Sequence, residues 1–174
     1  DYTQAYISNY GEWREQVQWS LINQATLKMN KKMSGSLLIK SWLFEHEFQP
    51  FLPSLGLQTQ LIKSFLNWKV NVSWQASAPT LNDKYWNIGG NPTLQTEEGI
   101  NTECTWEGEM KFKSHFQLEY QATGYYSNTK NWILWVPNES GLWTAQNVAI
   151  VEAKGVELRT HFKYLKKRLK IQLG

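Results

Sequence analysis

The sequence predicts an all-β fold: antiparallel, about eight long strands, closed into a barrel or folded into a curved sandwich, with a short helix near residues 55–65. Three observations carry this. Polar and apolar residues alternate over long stretches, most cleanly at 66–76 and 104–122, and a period of two belongs to a strand with two unlike faces. Clusters of Gly, Pro, Asn and Asp punctuate those stretches. The aromatic content is high, with 10 Trp, 8 Tyr and 7 Phe in 174 residues, which gives a sheet large rings to cover. A chain of this length suits one barrel-like domain over 1–174 and holds a core without disulfide or metal.

Each element follows in order. From Trp13 to Met29 the odd positions carry Trp13, Val17, Trp19, Leu21, Leu27 and Met29, which predicts a strand. Lys31 to Gly35 read as a turn. Leu37 to Phe48 is apolar on both parities, as in a strand covered on two sides or a part-helical segment, and Pro50 and Pro53 close it. Leu57, Leu61, Ile62 and Phe65 stand at helical spacing. Residues 66–76 alternate without a break. Residues 77–101, rich in Gly, Pro and Asn, predict a long loop that plugs Tyr85 and Trp86 onto the body or offers them to a ligand. The even-numbered apolar run from Cys104 to Ala122 is about 60 Å at ~3.3 Å per residue, so it must bend or divide, at Gly108 or near Ser114. Its Glu107, Glu109, Lys111 and Lys113 suit ion pairs on a solvated face. Trp132–Val136, a turn at 138–141, a return strand from Trp143 to Ala153, a turn at Lys154–Gly155 and a strand from Val156 to Tyr164 complete the pattern.

Composition excludes several classes. Eighteen basic against fifteen acidic side chains leave a charge of +3, too little to argue for nucleic acid. A lone Cys104 forbids an internal disulfide, which fits the cytoplasm or a disulfide-free exported protein. No apolar run reaches the length of a transmembrane helix. The chain opens at Asp1, so any signal peptide is out of view. An outer-membrane barrel shares the alternation, but the many charges and the lack of a terminal aromatic count against it. His46, His115 and His161 match no zinc spacing, so no metal site is expected, and no cofactor is indicated.

Two motifs carry a resemblance. Asn9-Tyr10-Gly11-Glu12-Trp13 resembles the Gly-x-Trp opening of lipocalin-like (calycin) barrels. The resemblance implies that Gly11 and Trp13 mark the barrel floor and that the open end takes an apolar ligand. Val148-Ala149-Ile150-Val151-Glu152-Ala153-Lys154 resembles the catalytic strand of PD-(D/E)xK nucleases, with Glu152 on a Mg²⁺ and Lys154 beside the attacking water, though Asn138 stands where an Asp belongs. The expected function is therefore a non-enzymatic carrier of a small hydrophobic, lipid-like or pigment-like ligand among Trp19, Trp68, Trp74, Trp106, Phe112 and Phe116. The alternatives are a structural or protein-interaction β domain and the Mg²⁺-dependent nuclease. Lys163, Lys166, Lys167, Arg168 and Lys170 form a basic cluster suited to an anionic membrane surface.

Overall fold

The computed structural model describes residues 2–6, 10–45, 47–63, 65–112, 116–148, 150–166 and 169–173. They form an all-β, antiparallel structure. The strands are β1 (Tyr2–Ala5), β2 (Arg14–Lys28), β3 (Met33–Phe44), β4 (Glu47–Phe48), β5 (Leu52–Ile62) and β6 (Leu66–Ser77), then β7 (Glu97–Phe112), β8 (Phe116–Lys130), β9 (Trp132–Pro137), β10 (Trp143–Val148), β11 (Val151–Lys166) and β12 (Leu169–Leu173), with one short helix, α1 (Leu81–Tyr85). Ten strands make one meandering sheet in the order β1-β2-β3-β5-β6-β7-β8-β11-β12, with β4 on β3, while β9 and β10 form a separate hairpin.

The connections differ at the two ends of the sheet. At one end β2 turns into β3 across 29–32, and β5 is followed by β6 and β7 by β8 after three residues each, of which 64 and 113–115 lie outside the described residues. At the other end the chain takes longer routes: 45–51 with the β4 stub, 78–96 with α1, and 131–150 with the β9–β10 hairpin. These are called the turn end and the loop end below.

Four expectations are corrected. Residues 55–65 are not helical; β5 pairs with β3 on one side and β6 on the other. A spacing of four residues is even, so Leu57 and Leu61 suit either period. Ile62, on the wrong parity, is accounted for by a register shift between Gln60 and Ile62. The helix lies instead at 81–85, where Thr80 and Asp83 form a capping box. Of the two break points expected in the run 104–122, the one near Ser114 holds and Gly108 does not: β7 ends at Phe112 and β8 starts at Phe116, and the parity survives because those two residues are paired. Lys154 and Gly155 are not a turn; they lie within β11, opposite Tyr126 and Tyr125.

Candidate functional site

The register assigns every strand residue to a face, because directly paired residues project to the same side. One row runs Trp68, Trp106, Ala122, Leu158; the next runs Val70, Cys104, Gly124, Val156. Trp19 pairs with Leu43, and Leu37 with Leu55, on this same side. All six rings expected to hold a ligand, Trp19, Trp68, Trp74, Trp106, Phe112 and Phe116, stand on it. They do not enclose a space. Trp19 is 68% exposed and Leu158 79%, and Leu21, Leu27, Leu55, Val156 and Phe162 are likewise open. A continuous exposed apolar face of this extent marks contact with something apolar.

The opposite face is polar. From β6 to β11 it presents Asn67, Lys69, Asn71, Ser73 and Gln75, then Glu103, Thr105 and Glu107, then Gln117, Glu119, Gln121 and Thr123, then Glu157, Arg159, His161 and Lys163. The expected ion pairs lie here in altered form. Glu107 pairs across strands with Lys69 at 2.6 Å and Glu109 with Lys111 at 3.2 Å, while Lys163 pairs with Glu119. The Gln117 amide donates to both Glu109 and Glu119. A cleft of about 490 Å³ opens among Gln60, Asn67, Glu107, Glu109, Gln121 and His161. Lys113 and the rest of the basic cluster, the side chains of Lys166 and Lys170 with Lys167 and Arg168, lie outside the described residues.

The apolar face has a defined height. Ten steps along β8 separate Phe116 from Tyr126, about 34 Å of strand, and a tilt of ~35–45° reduces this to about 24–28 Å. Rings stand at both borders: Phe112, Phe116 and Tyr164 toward the turn end, Trp74 and Tyr126 toward the loop end. Between them lie Val70, Val72, Cys104, Ala122 and Gly124, with the rings of Trp68, Trp106 and Tyr120 among them. Beyond the loop-end border the same face turns polar, with Glu98, Asn128 and Glu152.

The loop-end connections are joined to one another. The Lys84 ammonium, buried, donates to both carboxylate oxygens of Glu45 at 2.8 and 2.7 Å, tying α1 to the end of β3. The Arg14 guanidinium lies 4.2 Å over the Tyr85 ring, and Tyr10 donates to Asn82. The Trp135 indole donates to Asp83 at 3.0 Å, and the Ala145 amide to the Gly89 carbonyl at 2.8 Å, so the β9–β10 hairpin is docked on the 81–95 segment. Gly89 is required there: a Cβ would stand 2.3 Å from the Trp143 carbonyl oxygen. Asn147 accepts from the Gln95 amide and donates to the Asn131 carbonyl.

The remaining expected residues fall elsewhere. Gly11 adopts φ 74° and Trp13 lies exposed just before β2, its ring 5.2 Å from that of Tyr6. Glu152 accepts from Tyr126 and Asn128 on the outer face. Lys154 is two residues along the same face. Asn138 caps the β9–β10 turn, accepting from the amides of Ser140 and Leu142. No group of three or more His, Cys, Asp or Glu suited to a metal occurs among the described residues, and no described helix is long and apolar enough to cross a membrane.

A meandering antiparallel sheet with an exposed apolar face of bilayer height, a charged reverse, short turns at one end and long loops at the other defines a section of membrane β-barrel wall. The model of the TonB-dependent receptor-like β-barrel family matches residues 39–173, and the chain belongs to that family. It is 38% identical over 105 residues to the vitamin B12 transporter BtuB of Photobacterium profundum, covering 58% of this chain and 16% of that protein. A second vitamin B12 transporter BtuB, from Vibrio vulnificus, is 31% identical over 87 residues, which are 49% of this chain and 13% of the relative. The chain thus matches only a small part of these relatives' length. Among solved structures, the siderophore receptor PirA from Pseudomonas aeruginosa superposes with a TM-score of 0.67 at 14% identity, over 92% of this chain and 30% of that one. The FrpB iron transporter from Neisseria meningitidis gives 0.63 at 13%, over 92% and 25%.

Family membership overturns the lipocalin-like barrel, the soluble ligand carrier and the nuclease reading of Glu152 and Lys154. It also overturns a cytoplasmic or soluble exported location, since barrels of this family belong to the outer membrane.

Proposed function

We propose that this chain is a stretch of the barrel wall of a TonB-dependent outer-membrane transporter that takes up a corrinoid such as vitamin B12. One observation carries the membrane part: an outward face, about 25 Å tall, that is apolar but for Thr102, Thr160 and Lys154 at the Tyr126 border, with rings at both borders. In such barrels short turns face the periplasm and long loops the exterior. The end of the sheet that carries the 29–32 turn and the short β5–β6 and β7–β8 connections is therefore periplasmic. The joined assembly of α1, the 86–96 segment and the β9–β10 hairpin is extracellular. The polar face lines the lumen, as in large barrels whose interior is plugged. The identity to two vitamin B12 transporters supports the ligand class, whereas the siderophore and iron receptors, at 13–14% identity, support the fold alone.

Uptake of labelled cyanocobalamin by cells carrying the full-length gene, compared with cells lacking it, tests the reading. Loss of cobalamin uptake in the deletion strain, with ferric siderophore uptake intact, is the expected result. The reverse pattern would reassign the ligand to an iron chelate, and no change in either would remove the transport reading.

A further inference from the structure

A groove of about 270 Å³ lies on the outward face where the apolar band meets the loop end. It is lined by the apolar Phe51, Trp74, Ala76 and Ile100 together with Glu98, Asn128 and Lys130. Ala76, Glu98 and Lys130 form one row across β6, β7 and β8, and Trp74, Ile100 and Asn128 the row beneath. The strands forming it, β5 to β8, are paired on both sides, so the groove does not depend on the sheet's open edges.

What fills the groove follows from where it opens. It faces the bilayer, not the lumen, so the transported ligand does not reach it. Its floor continues the hydrocarbon-facing band, and its mouth reaches the level of the polar headgroups. The volume lies below the ~300–1,000 Å³ of ordinary small-molecule sites, which suits a slender occupant. Lys130, with Glu98 opposite it on β7, supplies a cation at the level where a lipid phosphate would lie. Resting on the membrane reading above, we infer that the groove seats one acyl chain of an outer-leaflet lipid, with the lipid phosphate beside Lys130.

The test uses the full-length protein in nanodiscs of phosphatidylglycerol containing a trace of phosphatidylglycerol with a photoreactive diazirine acyl chain, with adducts mapped by peptide mass spectrometry. Adducts are expected to be several-fold denser at Phe51, Trp74 and Ile100 than at Leu55, Val72 and Val156 on the same face. Filling the groove with Ala76→Trp should bring them down to that background. Lys130→Glu should weaken groove labelling by the phosphatidylglycerol probe and leave labelling by a matching diacylglycerol probe unchanged. Even labelling over the whole face would overturn the inference while leaving the membrane reading intact. Equal effects of Lys130→Glu on both probes would overturn the phosphate contact. Absence of adducts from every outward residue would sink the membrane reading as well.

Discussion

Gly108 and Tyr120 face each other across β7 and β8, and the tyrosine hydroxyl donates to the carbonyl of Phe65 in the β5–β6 turn. A Cβ on Gly108 would meet that carbonyl oxygen at 1.8 Å, so the close approach needs glycine. Gly108→Val is expected to lower unfolding stability in lipid vesicles by about 1–3 kcal/mol, the usual range for overpacking, read from the urea midpoint. Gly155→Ala is not equivalent, because what it would crowd is the end of the Tyr125 side chain. Little at this scale was legible in the sequence. Lys84 looks like any loop lysine, yet it is buried against Phe44 and bound to Glu45, 39 residues away. Nothing local to either residue encodes that pairing. The Thr80-x-x-Asp83 capping box that starts α1 went unread within the expected loop, although its spacing is a helix-start pattern.

At the scale of elements, strands with unlike faces were legible and segments with like faces were not. β6, β7 and β8 follow directly from alternation at 66–76 and 104–122, because each residue's parity is its face. The length of the run and Ser114 marked a break there, but parity did not choose between Ser114 and Gly108, since pairing Phe112 with Phe116 keeps even residues with even ones. β5 was hidden by a bulge, which puts apolar side chains at both Leu61 and Ile62. The β9–β10 hairpin and its turn at 138–141 were readable, but its docking was not, because it depends on Asp83, Gly89 and Asn91 being brought beneath it by the fold. Trp135→Phe removes the indole donor to Asp83 while keeping a ring. A net loss of ~1 kcal/mol is expected, so amide exchange at Ala145 should quicken about fivefold. Unchanged exchange there would mean that the hairpin is held by its other contacts alone.

For the whole molecule, alternation says that a strand has two unlike faces but not which one meets water. The expectation of a carrier placed the rings inside; the fold turns them outward. The charges that counted against a membrane barrel lie largely on the opposite, polar face, as Lys69, Glu107, Glu119 and Lys163 show. Charge placement checks the inversion. Val70→Arg on the outer face is expected to cost about 2–4 kcal/mol in vesicles, while Asn71→Arg, one residue on and facing the lumen, should cost far less. Comparable losses would mean that the two faces are not in different media.

The most direct measurement is a nitroxide scan of residues 100–112 of β7, Gly108 excepted, one labelled cysteine at a time in the full-length protein with Cys104 otherwise replaced, in lipid vesicles. Even-numbered sites should collide freely with dissolved oxygen and be shielded from a water-soluble nickel chelate, and odd-numbered sites should show far less oxygen contact, giving a period of two. Even-numbered sites open to the nickel chelate, or shielded from both reagents as in a packed core, would contradict an outward, lipid-facing ring face.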